Sequence, residues 1–127
     1  MGDLLSKAEY AALAKDISLP SKAFINGAFK TAISGKTFAT NNPATGEFLT
    51  DVAACSSEDV DFAVSNAKEA FEDGRWRSIS PRERKAVLLK FANLLESHQH
   101  ELAVLESLDS GKPVSYTHLT LPTIYSV

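Results

Sequence analysis

The sequence predicts a mixed α+β fold in a single domain, and three observations predict it. Apolar residues recur at helical spacing in four separate stretches, two runs of turn formers each lie between strand-like segments, and 127 residues suffice for one modest core. With 13 basic and 16 acidic side chains the net charge is −3, the wrong sign for a phosphate-backbone partner, so no nucleic acid is expected. No stretch reaches the roughly 20 predominantly apolar residues that a membrane span needs, so no membrane partner is expected either. Asp3, Lys7 and Glu9 stand where a secretory signal would be apolar, and the single cysteine cannot form an internal disulfide. Both features suit a reducing, cytoplasmic setting.

Taken in order, Leu4, Leu5, Ala8, Ala11, Ala12 and Ala14 have helical spacing behind Asp3, which predicts a helix capped by Asp3 and running to about Ile17, before Pro20. In Phe24-Ile25-Asn26-Gly27-Ala28-Phe29 an Asn-Gly pair lies between apolar runs. Both residues tolerate positive φ, which is the signature of a type I′ hairpin. A second hairpin is expected with strands at Thr37–Asn41 and 48–54, turning through Asn42-Pro43-Ala44-Thr45-Gly46. Ser56 with Asp59 three residues on forms an approximate capping box, and Val60, Ala63, Val64, Ala67 and Phe71 mark one face of a helix that Gly74 stops. Ser80-Pro81-Arg82-Glu83 starts the next helix, whose stripe is Val87, Leu88, Phe91, Ala92, Leu94 and Leu95. A last helix over 101–110 turns Leu102, Leu105 and Leu108 inward and ends at Gly111, with Pro113 beyond.

After Pro113 the chain changes character. Residues 114–127 carry no charge, although the chain average of 23% predicts about three, and they hold two of the three tyrosines. One reading frame of a widely used transposase sequencing adapter encodes Val-Ser-Tyr-Thr-His-Leu-Thr-Leu-Pro-Thr. Residues 114–127 are therefore read as a non-native tail, and 1–113 as the natural part. The competing reading is a native edge strand, because Thr, Val, Ile and Tyr favour strands.

Few motifs carry chemistry. Ser34-Gly35-Lys36-Thr37 resembles the end of a phosphate loop, but Lys30 occupies the required earlier glycine position and a strand, not a helix, follows. No Gly-x-Gly-x-x-Gly occurs. Cys55 lies before a predicted helix start, yet no histidine is near in sequence, so it reads as a small residue at a strand end. His98 and His100 are two residues apart, a spacing that turns helical side chains about 200° from each other and prevents them from clasping one ion. Glu96, Glu101 and Glu106 with Arg82, Arg84 and Lys85 read as solvated helix faces. Trp76, between Arg75 and Arg77, reads as a packing anchor open to a cation–π contact.

Phe24-Ile25-Asn26-Gly27, Asn42-Pro43-Ala44-Thr45-Gly46-Glu47, Glu58-Asp59-Val60-Asp61, Trp76 and Leu105-Glu106-Ser107-Leu108-Asp109-Ser110-Gly111-Lys112-Pro113 occur in that order. Together they resemble the amino-terminal region of the NAD(P)-dependent aldehyde dehydrogenases. The Ser80–Leu88 stretch and the leader before Phe24 look closest to the gamma-glutamyl-aminobutyraldehyde dehydrogenases of putrescine breakdown. The resemblance implies an α/β fold: the helices and β-hairpins that begin a coenzyme-binding domain, incomplete here. It implies a parent oxidoreductase, usually a homo-oligomer, that converts an aldehyde to a carboxylic acid through a cysteine thiohemiacetal with NAD or NADP as hydride acceptor. The family's nucleophile, general base and Gly-rich coenzyme loop lie downstream of the Leu-Asp-x-Gly-Lys-Pro segment. Cys55 matches none of them, so no catalytic or coenzyme-binding residue is expected in this chain and it should be inactive alone. Many members also hold a structural Na⁺ or K⁺, which maps onto main-chain oxygens of Thr40 and Asn41 and the carboxylate of Asp109, a donor set suited to hard cations. The alternative to all this is a small non-enzymatic binding module completed by a native C-terminal strand.

Overall fold

A computed structural model describes residues 4–114. Eight elements follow one another: α1 (Lys7–Asp16), β1 (Ala23–Ile25), β2 (Ala28–Lys30), β3 (Thr37–Asn41), β4 (Phe48–Ala53), α2 (Ser57–Glu72), α3 (Pro81–Ser97) and α4 (Gln99–Ser110). Where local chemistry is strong, it decides the boundaries. Ser80 and Glu83 exchange bonds at the start of α3: the Ser80 amide donates to Glu83 Oε2 at 2.8 Å, and the Glu83 amide to Ser80 Oγ at 3.2 Å. This is the reciprocal satisfaction of orphan amides that the motif encodes.

The first helix starts later than its apolar spacing predicts. Its cap is Ser6, not Asp3, because Ser6 and Glu9 form a complete capping box, with the Ser6 amide bonding Glu9 Oε2 at 2.8 Å. The last helix begins two residues before the expected 101, and only His98 separates it from α3. Its buried positions are also displaced. Ala103 and Val104 are fully covered, whereas Leu102, Leu105 and Leu108 are only half-buried.

The strands form two separate two-stranded sheets. In the first, antiparallel β1 and β2 pair Ala23 with Lys30, Phe24 with Phe29 and Ile25 with Ala28. Asn26 (φ 52°) and Gly27 (φ 74°) both take the left-handed region that a type I′ turn demands. Phe24 and Phe29 face one another across the ladder, edge to face at 5.1 Å between centroids. The β3–β4 turn is closed by Gly46 N–H to Asn42 O (2.7 Å) and Asn42 N–H to Glu47 O (2.8 Å), with the Asn42 side chain capping the Ala44 amide at 2.9 Å.

The chain divides into two compact units. Of the described residues, one comprises 4–19, 41–49 and 89–114; the other, 20–40 and 50–88. In the first, α1 lies on α4. In the second, the Ser21 carbonyl accepts from Ala53 N–H and the Lys36 carbonyl from Ala54 N–H, which ties the loops around the hairpins to the end of β4. Among the described residues the buried apolar set is Ala32, Ala103 and Val104, while Val60, Val64 and Phe71 on α2 and Val87, Leu88 and Phe91 on α3 stand open to solvent. Among the same residues no helix is long and apolar enough to cross a membrane.

Candidate functional site

Thr40 and Asn41 end β3, and Asp109 sits in the last turn of α4. The Thr40 hydroxyl donates to the Thr50 carbonyl at 3.4 Å, so its side chain is engaged by the neighbouring strand. Asp109 is exposed, and neighbouring polar side chains point elsewhere: Ser110 Oγ donates to the Glu106 carbonyl at 2.7 Å, and Lys112 Nζ pairs with Glu106 Oε1 at 3.0 Å. The helix stops because Gly111 turns left-handed at φ 72° and its amide reaches back to Ser107 O at 3.0 Å. A Cβ built on Gly111 would lie 3.0 Å from Pro43 Cγ. The end of α4 therefore rests against the Asn42-Pro43 turn, and the segments carrying Asn41 and Asp109 meet within one unit. Thr40 belongs to the other unit.

The two histidines serve separate partners. His98 Nδ1 shares a proton with Glu101 Oε2 at 2.8 Å, and His100 Nδ1 with the Tyr10 hydroxyl at 3.0 Å. Among the described residues no three His, Cys, Asp or Glu side chains converge on a point. Cys55 is exposed in the link between β4 and α2. The cation over Trp76 is neither of its flanking arginines: Arg84 stacks there at 5.7 Å, while Arg77 covers Phe71 at 5.5 Å and Arg75 binds Asp73.

One polar residue does more than its sequence motif states. Asp59 is only 4% exposed and accepts from the Ser56 amide (2.8 Å), the Ser56 hydroxyl (3.1 Å) and the Ile33 amide (2.8 Å). The first-turn bonds are the capping box. The Ile33 bond spans 26 residues and pins the loop after β2 to the start of α2. Donation by the Ser56 and Ile33 amides holds the Asp59 carboxyl below the usual carboxylate range. No local sequence signal marks that second bond.

The fold and motifs define a recognisable class: the chain belongs to the aldehyde dehydrogenase family, whose sequence profile matches residues 29–126. It is 60% identical over 123 residues to an aminoacetaldehyde dehydrogenase of Pseudomonas aeruginosa, covering 96% of this chain and 25% of that protein. Among solved structures it is similar to an aldehyde dehydrogenase of Pseudomonas aeruginosa (TM-score 0.88, 41% identity, 92% of this chain and 24% of the other). It is equally similar to the gamma-glutamyl-gamma-aminobutyraldehyde dehydrogenase of Burkholderia cenocepacia (TM-score 0.89, 41% identity, 93% and 24%). The chain spans about a quarter of the length of these relatives.

Proposed function

We propose that this chain is the opening part of a cytoplasmic, homo-oligomeric NAD(P)-dependent enzyme that oxidises an aldehyde, of the aminoaldehyde class met in polyamine breakdown, to a carboxylic acid. The 60% identity to an aminoacetaldehyde dehydrogenase over nearly the whole chain carries this reading. In such an enzyme a cysteine thiolate adds to the aldehyde carbonyl to give a thiohemiacetal. Loss of hydride to NAD(P)⁺ leaves a thioester, which an activated water hydrolyses to acid and free thiol. Among the described residues the one thiol, Cys55, stands exposed at a strand–helix link and matches none of these groups. The work of the residues here is to frame the coenzyme domain, and the chain alone is inactive. Purified chain given an aminoaldehyde and NAD⁺ should produce no NADH, while the full-length enzyme should turn over aminoaldehydes. Turnover by the chain alone, or a full-length enzyme indifferent to aldehydes, would overturn the proposal.

The same reading assigns a structural Na⁺ or K⁺ to main-chain oxygens of Thr40 and Asn41 and to the Asp109 carboxylate. Hard carbonyl and carboxylate donors suit such an ion. Contact between Pro43 and Gly111 supports it, and so does an acid in the last turn of α4, which the helix dipole disfavours unless a cation lies nearby. Potassium should raise the melting temperature of the full-length protein, and Asp109→Asn should abolish the gain; equal gains in both would refute the assignment.

Residues 114–127 belong to the same proposal as a non-native tail, on the strength of their lost charge. The family match running past Pro113 to residue 126 favours the rival, a native strand. Sequencing genomic DNA across these codons decides between them: divergence after Pro113 supports the tail, and continuity the strand.

A further inference from the structure

The family profile begins at residue 29, so α1 lies outside it, yet the alignment to the aminoacetaldehyde dehydrogenase covers 96% of the chain, leaving only about five residues unmatched, and so includes α1. The helix is self-starting through its Ser6–Glu9 box, and none of its residues is buried. Broad apolar burial therefore does not hold it in place. Leu13 and Ile17 instead form one wall of an apolar groove of about 660 Å³, whose other walls are Phe91 and Leu95 of α3 and Leu102 and Leu105 of α4. The specific contact is polar. The half-buried Tyr10 hydroxyl meets His100 Nδ1 at 3.0 Å, and the rings stand edge to face at 5.8 Å.

We propose that Tyr10 and His100 form the lock that seats α1 on the first turn of α4 and so shapes the groove beside it. With Nδ1 unprotonated the phenol donates, and the ring presents only one nitrogen at that reach, so the contact fixes helix register as well as proximity. Such a lock matters most where little surface is covered. Losing one partly buried hydrogen bond changes a local opening equilibrium by about three- to tenfold.

Hydrogen exchange of the full chain tests this. Tyr10→Phe should speed exchange of the α1 amides about three- to tenfold and leave the β1–β2 turn unchanged, and His100→Gln, which keeps an acceptor, should restore part of the protection lost in His100→Ala. Unchanged α1 exchange in Tyr10→Phe would overturn the proposal. A second measurement needs no variant: nitrogen-detected spectra of the unmodified chain should show His100 Nδ1 as the hydrogen-bond acceptor with a ring contact to Tyr10, and absence of that contact would equally overturn it.

Discussion

Gly111 is the position where a single methyl group tests the packing most sharply. At φ 72° an alanine there carries the left-handed penalty of about 1–2 kcal/mol, and its Cβ would also press on Pro43 Cγ at 3.0 Å. Gly46 provides the control, because at φ 75° it bears the same backbone penalty with nothing within 4 Å of a built Cβ. Gly46→Ala should therefore cost about 1 kcal/mol and Gly111→Ala about 2 kcal/mol. In urea unfolding followed by far-UV circular dichroism at low protein concentration, 1 kcal/mol moves the midpoint by roughly 0.5 M at a slope near 2 kcal/mol per M. Asparagine separates the two costs because it tolerates positive φ. Gly46→Asn should be nearly neutral, whereas Gly111→Asn should keep the Pro43 share. Pro43→Ala in the Gly111→Ala background should recover that share as a coupling energy. Equal losses at Gly46 and Gly111, or no coupling to Pro43, would refute the claim that α4 stops against the Asn42-Pro43 turn.

Three further outcomes are expected. Asp59→Asn should loosen the loop that Ile33 anchors, read as faster exchange at the Ile33 amide, with the Asn42–Glu47 turn amides unchanged. Because folding lowers the Asp59 carboxyl below its unfolded value of about 3.9, its contribution is in place above that pH and is lost as pH falls through the lower folded value. Unfolding midpoints of the wild type should therefore fall below about pH 4, and Asp59→Asn should flatten that decline; an unchanged acid slope would contradict the assignment. Asn26→Val should destabilise the first hairpin by about 1 kcal/mol, since a β-branched residue resists φ near 52°, and Asn26→Gly should be tolerated.

Much of this geometry was legible because it is local. Asn-Gly at 26–27, the turn at 42–46 and the Ser80–Glu83 start each place their chemistry within a few residues, and the backbone obeys. The first cap was misplaced because Asp3 and Ser6 are both good caps, and only Ser6 has a glutamate three residues on. Nonlocal contacts were invisible for a physical reason. Nothing in Ile33 announces that its amide bonds a carboxylate 26 residues away, and Trp76 takes its cation from Arg84 rather than from either neighbour. In α4 periodicity favours the leucines, yet Ala103 and Val104 are the covered pair. Asp109, Thr40 and Asn41 were singled out by family resemblance alone, because one acid and two carbonyls make no pattern that spacing reveals.

The uncovered apolar faces carry the last expectation. Val64 is 60% exposed, Leu88 57% and Phe91 58%, on helices whose stripes follow core periodicity. Fully burying one such side chain is worth about 1.5–3 kcal/mol, so a face carrying several of them can offset much of the cost of bringing two chains together. In relatives about four times as long, equivalent helices have further chain available to cover them. The isolated chain should therefore have a marginal fold and associate as concentration rises, seen as a growing scattering mass. Leu88→Lys and Phe91→Lys should suppress association without loss of helical signal, because both side chains already face water. A monomer at high concentration with a sharp, cooperative melt well above room temperature would show that these faces need no partner.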